Sequence, residues 1–242
     1  LEGSIVEMEK ELASTQILAL AGGFSAGDEP EGSGKFIANV LREPRIREAV
    51  TKLLENHDGL ALGICNGFQA LIKTGLVPFG KIMDPSPEMP TLTYNTIGRH
   101  ISRIVKTRMV SAVSPWAKHE SVLNPEAHYV PISHGEGRII ISDDLAKVLF
   151  DNGQVFTQYV DAQGNPATTE PDNPNGSAYA IEGITSPDGR VLGKMGHNER
   201  TVGTGILGCS EDLIKNIAFS GDAANKASSC QNIFVAGVSY FA

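Results

Sequence analysis

Apolar positions fall along this chain in short runs separated by Gly- and Pro-rich breaks, and their period changes from run to run. Ile5, Met8 and Leu12 give a weak helical repeat over residues 3–13. Ile17 to Ala21 is a short apolar run closed by Gly22-Gly23, the pattern of a buried strand entering a loop. A Gly-rich loop through Gly34 leads to a helix over about 35–41. A second helix from Pro44 to Leu54 places Ile46, Val50, Leu53 and Leu54 on one face. Gly59 to Ile64 again reads as a strand, and Phe68 to Lys73 as the helix after it. Strand, tight turn and helix in that order predict a parallel crossover.

The later half reads as richer in β structure. Residues 99–113 alternate loosely, and Tyr129 to Ile132, Val155 to Val160, Ala178 to Ile184 and Val191 to Met195 are strand-length apolar runs. Residues 161–177 are rich in Asn, Pro, Gly and Asp without periodicity and predict a loop insertion. Residues 221–232 are small and polar and predict a second one, before a final apolar segment, Ile233 to Phe241. No internal repeat or second domain is visible. The expected architecture is one α/β domain over residues 1–242, with a mostly parallel central sheet, helices on both faces and added β-rich segments. The short polar helix precedes the first visible strand, whereas an α/β domain usually opens with its own strand. The expectation is therefore a domain lacking its first strand, carried on a longer polypeptide.

The chain has 242 residues, 41% of them apolar and 20% charged, which suits one substantial core. No apolar run approaches the roughly 20 residues that span a bilayer, and the first twelve residues lack the pattern of a secretory signal. The net charge of −8 and the absence of a dense Lys/Arg cluster argue against nucleic acid and anionic membrane as partners. Cys65, Cys209 and Cys230 are too few and too scattered for a disulfide framework or a zinc site, so no metal is expected and a reducing cytoplasm is the simplest compartment.

The sharpest chemical signal is Gly63-Ile64-Cys65-Asn66-Gly67-Phe68-Gln69 at the end of an apolar strand. A nucleophile presented on a strained strand-to-helix turn needs small residues two positions before and after it, because the turn crowds its neighbours. A helix N-terminus behind Cys65 favours a thiolate, and the Asn66 amide would face a developing oxyanion. The alternative is a buried core cysteine in a Gly-flanked strand. A nucleophile also needs a base. Of six histidines, His197 follows an apolar strand and has Glu199 two residues on, on the same side of an extended backbone, where it could fix the ring tautomer. Without Cys65, a solvated turn would be the better reading of that segment. Gly22-Gly23 could add a backbone amide to an oxyanion hole through Gly23. Ser133-His134-Gly135 could hold a substrate's amino and carboxylate groups with bare backbone. Gly32-Ser33-Gly34-Lys35 lacks the spacing of a phosphate-binding P-loop.

With these residues assembled, the chain resembles the class I (triad-type) glutamine amidotransferases, whose domain is flavodoxin-like. The resemblance rests on Gly22-Gly23, on Gly63-x-Cys65-x-Gly67-x-Gln69 and on His197-x-Glu199. Within the class it looks most like the glutaminase part of phosphoribosylformylglycinamidine synthase, especially its large fused form. That finer likeness is carried by Gly22 to Asp28, Cys65-Asn66-Gly67, Asn95-x-x-Gly98-Arg99, Ser114-Pro115-Trp116, His134 to Gly137 and Gly196-His197-x-Glu199-Arg200. The resemblance implies Cys65 as the nucleophile that becomes a γ-glutamyl thioester, with His197 and Glu199 completing the triad. It also implies an oxyanion hole from Gly23 and Asn66, and glutamine held by Gln69, Ser133, His134 and Gly135. No cofactor is implied in this chain; ATP and Mg2+ belong to a synthetase domain of the same longer chain, or a separate subunit, that receives the ammonia. One departure is Asn198, where the family usually has Pro.

Three rivals stand beside this reading. A cysteine peptidase on the same elbow commonly places His directly after the nucleophile, where this chain has Asn66. A non-catalytic relative has no physical reason to keep Cys65, His197 and Glu199 together. A glutaminase serving another synthetase is disfavoured by the matches at 95–99 and 114–116.

Overall fold

The computed structural model describes residues 2–23, 34–123, 128–202, 205–206 and 232–242. Helix α1 (Glu2–Ser14) is followed by β1 (Ile17–Leu20), α2 (Lys35–Arg42), α3 (Pro44–Glu55), β2 (Leu60–Ile64), α4 (Asn66–Thr74) and the short α5 (Leu76–Phe79). Then come β3 (Thr91–Tyr94), β4 (Ile101–Met109), α6 (Glu120–Leu123), β5 (His128–His134), β6 (Glu136–Ile140), α7 (Asp143–Asp151) and β7 (Val155–Tyr159). Strands β8 (Ile181–Thr185), β9 (Val191–Lys194), β10 (Thr201–Val202) and β11 (Gly205–Ile206) precede α8 (Ile233–Ser239). Local chemistry sets several boundaries. Pro44 opens α3 and the Glu43 carboxylate accepts from the Arg45 and Ile46 amides; the Ser142 hydroxyl accepts from Leu145 N–H at the start of α7, whose first turn carries Asp143 and Asp144.

Seven strands form one sheet in the order β1-β2-β9-β8-β7-β4-β5. Only β1–β2 and β2–β9 pair in parallel; the other four pairings, β9–β8, β8–β7, β7–β4 and β4–β5, are antiparallel. The sheet is therefore mixed, which corrects the expectation of a mostly parallel one. Parallel neighbours need a long crossover, whereas β8 and β9 are joined by residues 186–190 alone, too few for anything but a reversal. The β-rich later half thus extends the central sheet itself. A second sheet pairs β3 with β6.

The periodicity does not show β3, β6 or α7, nor the short elements α5, α6, β10 and β11. Strand β6 begins one residue after β5, so a segment legible only as a Gly-containing loop is two strands broken at Gly135. The run beginning at Ala178 opens as a 3-10 turn, Ala178–Ala180, with Tyr179 and Ala180 at positive φ, and becomes extended only at Ile181. The last apolar segment is α8. Residues 161–177 contain no helix or strand, though Val160 bridges Pro166. The 221–232 insertion lies outside the described residues except for Asn232, which caps α8.

The core lies where α4 meets β1, β2 and β9. Phe68 and Leu71 on α4 are fully buried, worth roughly 1.5–3 kcal/mol each. Their seat exists because the elbow glycines carry no side chain. A methyl on Gly63 would approach Leu71 Cδ1 to 2.6 Å, and one on Gly67 would approach Leu20 O to 2.1 Å. Close contact of α4 with the sheet fixes the turn that carries Cys65.

Candidate active site

Cys65 stands between β2 and α4 with φ 52° and ψ −103°, a left-handed-side conformation that side chains rarely adopt. Such a residue costs about 1–3 kcal/mol and persists only when its surroundings over-determine it. Here Cys65 N–H donates to Lys194 O on β9 at 2.8 Å, and Cys65 O accepts from Gln69 N–H at 3.0 Å. The thiol is buried and donates to Ser133 O, 3.5 Å away. Burial pushes its pKa up to about 12, against the opposing pull of the Asn66 backbone N–H and, more weakly, that of Gly23. Contrary to the expectation from the motif, the helix N-terminus does not leave a resting thiolate, because desolvation outweighs it. The same two N–H groups converge on the sulfur, which is where an oxyanion beside it would find donors.

His197 is buried and held by two partners. Its backbone N–H donates to Pro131 O at 2.8 Å, and its Nδ1 lies 2.5 Å from Glu199 Oε1. The pair meets across the 3-10 turn Asn198–Arg200, not along extended backbone; the i,i+2 contact expected from the sequence forms, but by a different geometry. Burial works to raise the Glu199 pKa, yet the hydrogen bond and charge of His197 outweigh it and leave it lowered. Among the described residues His197 Nε2 is buried with no hydrogen-bond partner. With Nδ1 committed to the carboxylate, Nε2 is the nitrogen free to exchange a proton. Gly22 lies where the two halves meet: a methyl there would come within 2.6 Å of His197 Cε1 and 3.3 Å of Cys65 Cβ. Any larger residue at 22 would wedge the ring away from the sulfur.

The residues expected to hold substrate also gather here, with an added scaffold. Gln69 is buried and donates to Glu136 O at 2.6 Å while accepting from Asn66 Nδ2 at 3.0 Å, so it ties the elbow helix to β6. Ser133 Oγ lies 3.0 Å from His100 Nε2. The His134 and Gly135 carbonyls accept from Asn95 Nδ2 at 2.8 Å and Asn95 N–H at 2.9 Å. His134 is buried; its Nε2 faces Asn175 Nδ2 at 3.2 Å, and burial, then the nearby His100 and His197, push its pKa down to about 3. It is thereby held neutral. Phe24 to Asp28, part of the pattern quoted above, lie outside the described residues.

Asn95 and Asn175 carry roles the sequence did not reveal. Asn95 also accepts from Gly137 N–H at 3.2 Å, and Asn175, on the 161–177 segment, donates to Gly137 O at 2.8 Å and Tyr159 OH at 3.0 Å. Both are buried. Asn95 belongs to the Asn95-x-x-Gly98-Arg99 pattern of the resemblance, whereas nothing local separates Asn175, on an aperiodic segment, from a solvated loop residue. Among the described residues no group of three or more His, Cys, Asp or Glu is placed to hold a metal, and no helix is long and apolar enough to cross a membrane.

Comparison with known proteins agrees with this geometry. The description of a CobB/CobQ-like glutamine amidotransferase domain matches residues 3–241. Subunit PurQ of phosphoribosylformylglycinamidine synthase from Methanococcus maripaludis is 35% identical over 199 residues, covering 82% of this chain and 70% of that protein. The subunit of the same name from Dehalococcoides mccartyi is 37% identical over 191 residues, covering 79% and 69%. Among solved structures, PurLQS from Thermotoga maritima superposes with a TM-score of 0.61 at 26% identity, over 94% of this chain and 80% of that one. With a family match across nearly its whole length and an α/β fold shared with that structure, the chain belongs to the CobB/CobQ-like glutamine amidotransferases.

Proposed function

We propose that this protein hydrolyses glutamine to glutamate and ammonia through Cys65, His197 and Glu199, and that the ammonia serves a synthetase making formylglycinamidine ribonucleotide. The observation that carries the reading is the buried cluster of Cys65, on a strained elbow, with His197 across Gly22 and two backbone N–H groups at the sulfur. The chemistry follows from it. Cys65 Sγ attacks the glutamine carboxamide carbon as its proton passes to His197 Nε2, and Glu199 stabilises the imidazolium. The tetrahedral oxyanion accepts hydrogen bonds from Gly23 and Asn66 N–H. The C–N bond then breaks, His197 returns the proton to the departing ammonia, and a γ-glutamyl thioester remains. Water attacks the thioester with its proton again taken by His197, and glutamate leaves as the thiol is restored. Because burial holds the resting thiol neutral, proton removal and attack are coupled, and His197 is indispensable at neutral pH.

Gln69, Ser133, His134 and Gly135 form the wall that receives the amino-acid end of glutamine, braced by Asn95 and Asn175. The acceptor assignment is supported by the relatives named as subunits of phosphoribosylformylglycinamidine synthase. ATP and Mg2+ act in the synthetase component, in the cytoplasm. Of the two expected arrangements, a synthetase on the same longer chain or on a separate subunit, the relatives, named as subunits, favour the second. An electrophilic glutamine analogue with peptide mass spectrometry tests the reading. Modification of Cys65 alone, prevented by glutamine, is expected. Modification at Cys209 or Cys230, or at Cys65 without protection, would assign the elbow to another substrate.

A further inference from the structure

Behind the His197 turn lies an ion pair that the hydrolysis itself does not use. Lys194 closes β9 and Glu182 lies on the adjacent β8; both are wholly buried, with Lys194 Nζ 3.7 Å from Glu182 Oε2. Isolated charges are not buried without a function or full compensation, and a buried pair is weak ground for stability by itself. Here each partner also hydrogen-bonds the same short segment. Glu182 Oε1 accepts from the N–H of Gly196, the residue before His197, at 2.6 Å. Lys194 Nζ donates to Oδ1 of Asn198, the residue after His197, at 2.6 Å. Thr157 Oγ1 on β7 donates to Glu182 Oε2 and fixes the carboxylate in turn. Gly196 leaves little room of its own, since a methyl there would meet Val130 at 2.8 Å and Glu182 Oε1 at 2.9 Å.

We propose that Glu182 and Lys194 are positioning residues that clamp the backbone on both sides of His197 and so hold its ring against Cys65. This rests on the triad reading above and adds the device that aligns it. Lys194 serves a second end of the same alignment, because its carbonyl accepts the Cys65 N–H at 2.8 Å; one residue thus ties the nucleophile's backbone and the base's turn together. A buried clamp anchored by hydrogen bonds on both sides of the turn suits this task. The His197 turn is short and has no long element of its own, and an error near 1 Å in a reacting group costs on the order of 100-fold in rate.

The test uses the charge-neutral double variant Glu182→Gln/Lys194→Met. It keeps an acceptor for Gly196 N–H and leaves no unpaired buried charge, but removes the link to Asn198. In the protein together with its synthetase component, kcat for glutamine hydrolysis is expected to fall about 10- to 100-fold with KM within about twofold of the parent. Alkylation of Cys65 by iodoacetamide, measured without glutamine, is expected to slow about tenfold toward the His197→Ala value. Unchanged alkylation and kcat in a variant that melts like the parent overturn the proposal. Asn198→Ala, which leaves the ion pair intact, decides the matter if the double variant does not fold. Slowed alkylation supports the clamp and parental alkylation overturns it. If the parent itself does not hydrolyse glutamine, the glutaminase reading fails while the alkylation comparison still reports on the clamp.

Discussion

At the residue scale, the site combines an unfavourable backbone and an unfavourable burial in one side chain. Cys65 sits at positive φ and its thiol is pushed up to about 12, so it is a poor nucleophile until His197 removes the proton. His197→Ala is therefore expected to lower glutamine turnover by about 1000-fold or more, as loss of a triad member does elsewhere. Cys65 alkylation in that variant should stay slow near neutrality and rise only as pH climbs toward 12. Rapid alkylation at neutral pH would show that another group activates the thiol. Glycine at 22 belongs to the same scale, since its missing side chain is the space in which sulfur and imidazole approach each other.

At the element scale, the elbow works because glycine at 63 and 67 lets α4 approach β1 and β2 closely. A methyl at 67 would stand 2.1 Å from a backbone carbonyl of β1, which cannot rotate away as a flexible side chain would. Gly67→Ala must push α4 outward, and overpacking of this kind costs about 1–3 kcal/mol or more. The expected outcome is a lower melting temperature together with a glutaminase loss larger than the stability change explains, because Cys65 rides on the displaced helix. Thermal denaturation and steady-state kinetics on the same sample check this; a variant with parental values of both would mean that the elbow tolerates the added methyl. The 161–177 segment is an element in the same sense despite lacking regular structure. Its Asn173 and Asn175 make buried hydrogen bonds that fasten Ser177 and Gly137, so it supports β6 instead of merely connecting strands.

At the scale of the whole molecule, one buried histidine links folding to pH. His134 is held near pKa 3 in the folded chain, below the ordinary value of about 6.5. The folded form refuses a proton that the unfolded chain accepts, so its full contribution is present above about 6.5 and is lost progressively as pH falls toward 3. His134→Gln should flatten the decline of unfolding free energy between about pH 6 and 4, by up to about 1.4 kcal/mol per pH unit. Urea denaturation of both proteins across that range measures it, and parallel slopes would mean that His134 is not the responsible group.

The sequence by itself determined the parts whose physics is local. The Gly-x-Cys-x-Gly elbow, the apolar runs of β1 and β2, and α3 behind Pro44 all follow from periodicity, chain stiffness and crowding within a few residues. The pairing of His197 with Glu199 was legible for the same reason, though its geometry was not. Tertiary structure alone decided what depends on distant partners. The antiparallel half of the sheet follows from how short the connections are once the strands lie side by side. Asn95, Asn175, Glu182 and Lys194 look in sequence like solvated polar residues, and only folding buries them and gives each its partners around the site. The Cys65 thiol shows the same division. The motif supplies a helix N-terminus that favours the thiolate, while burial, which no local pattern contains, holds it protonated until its base is engaged.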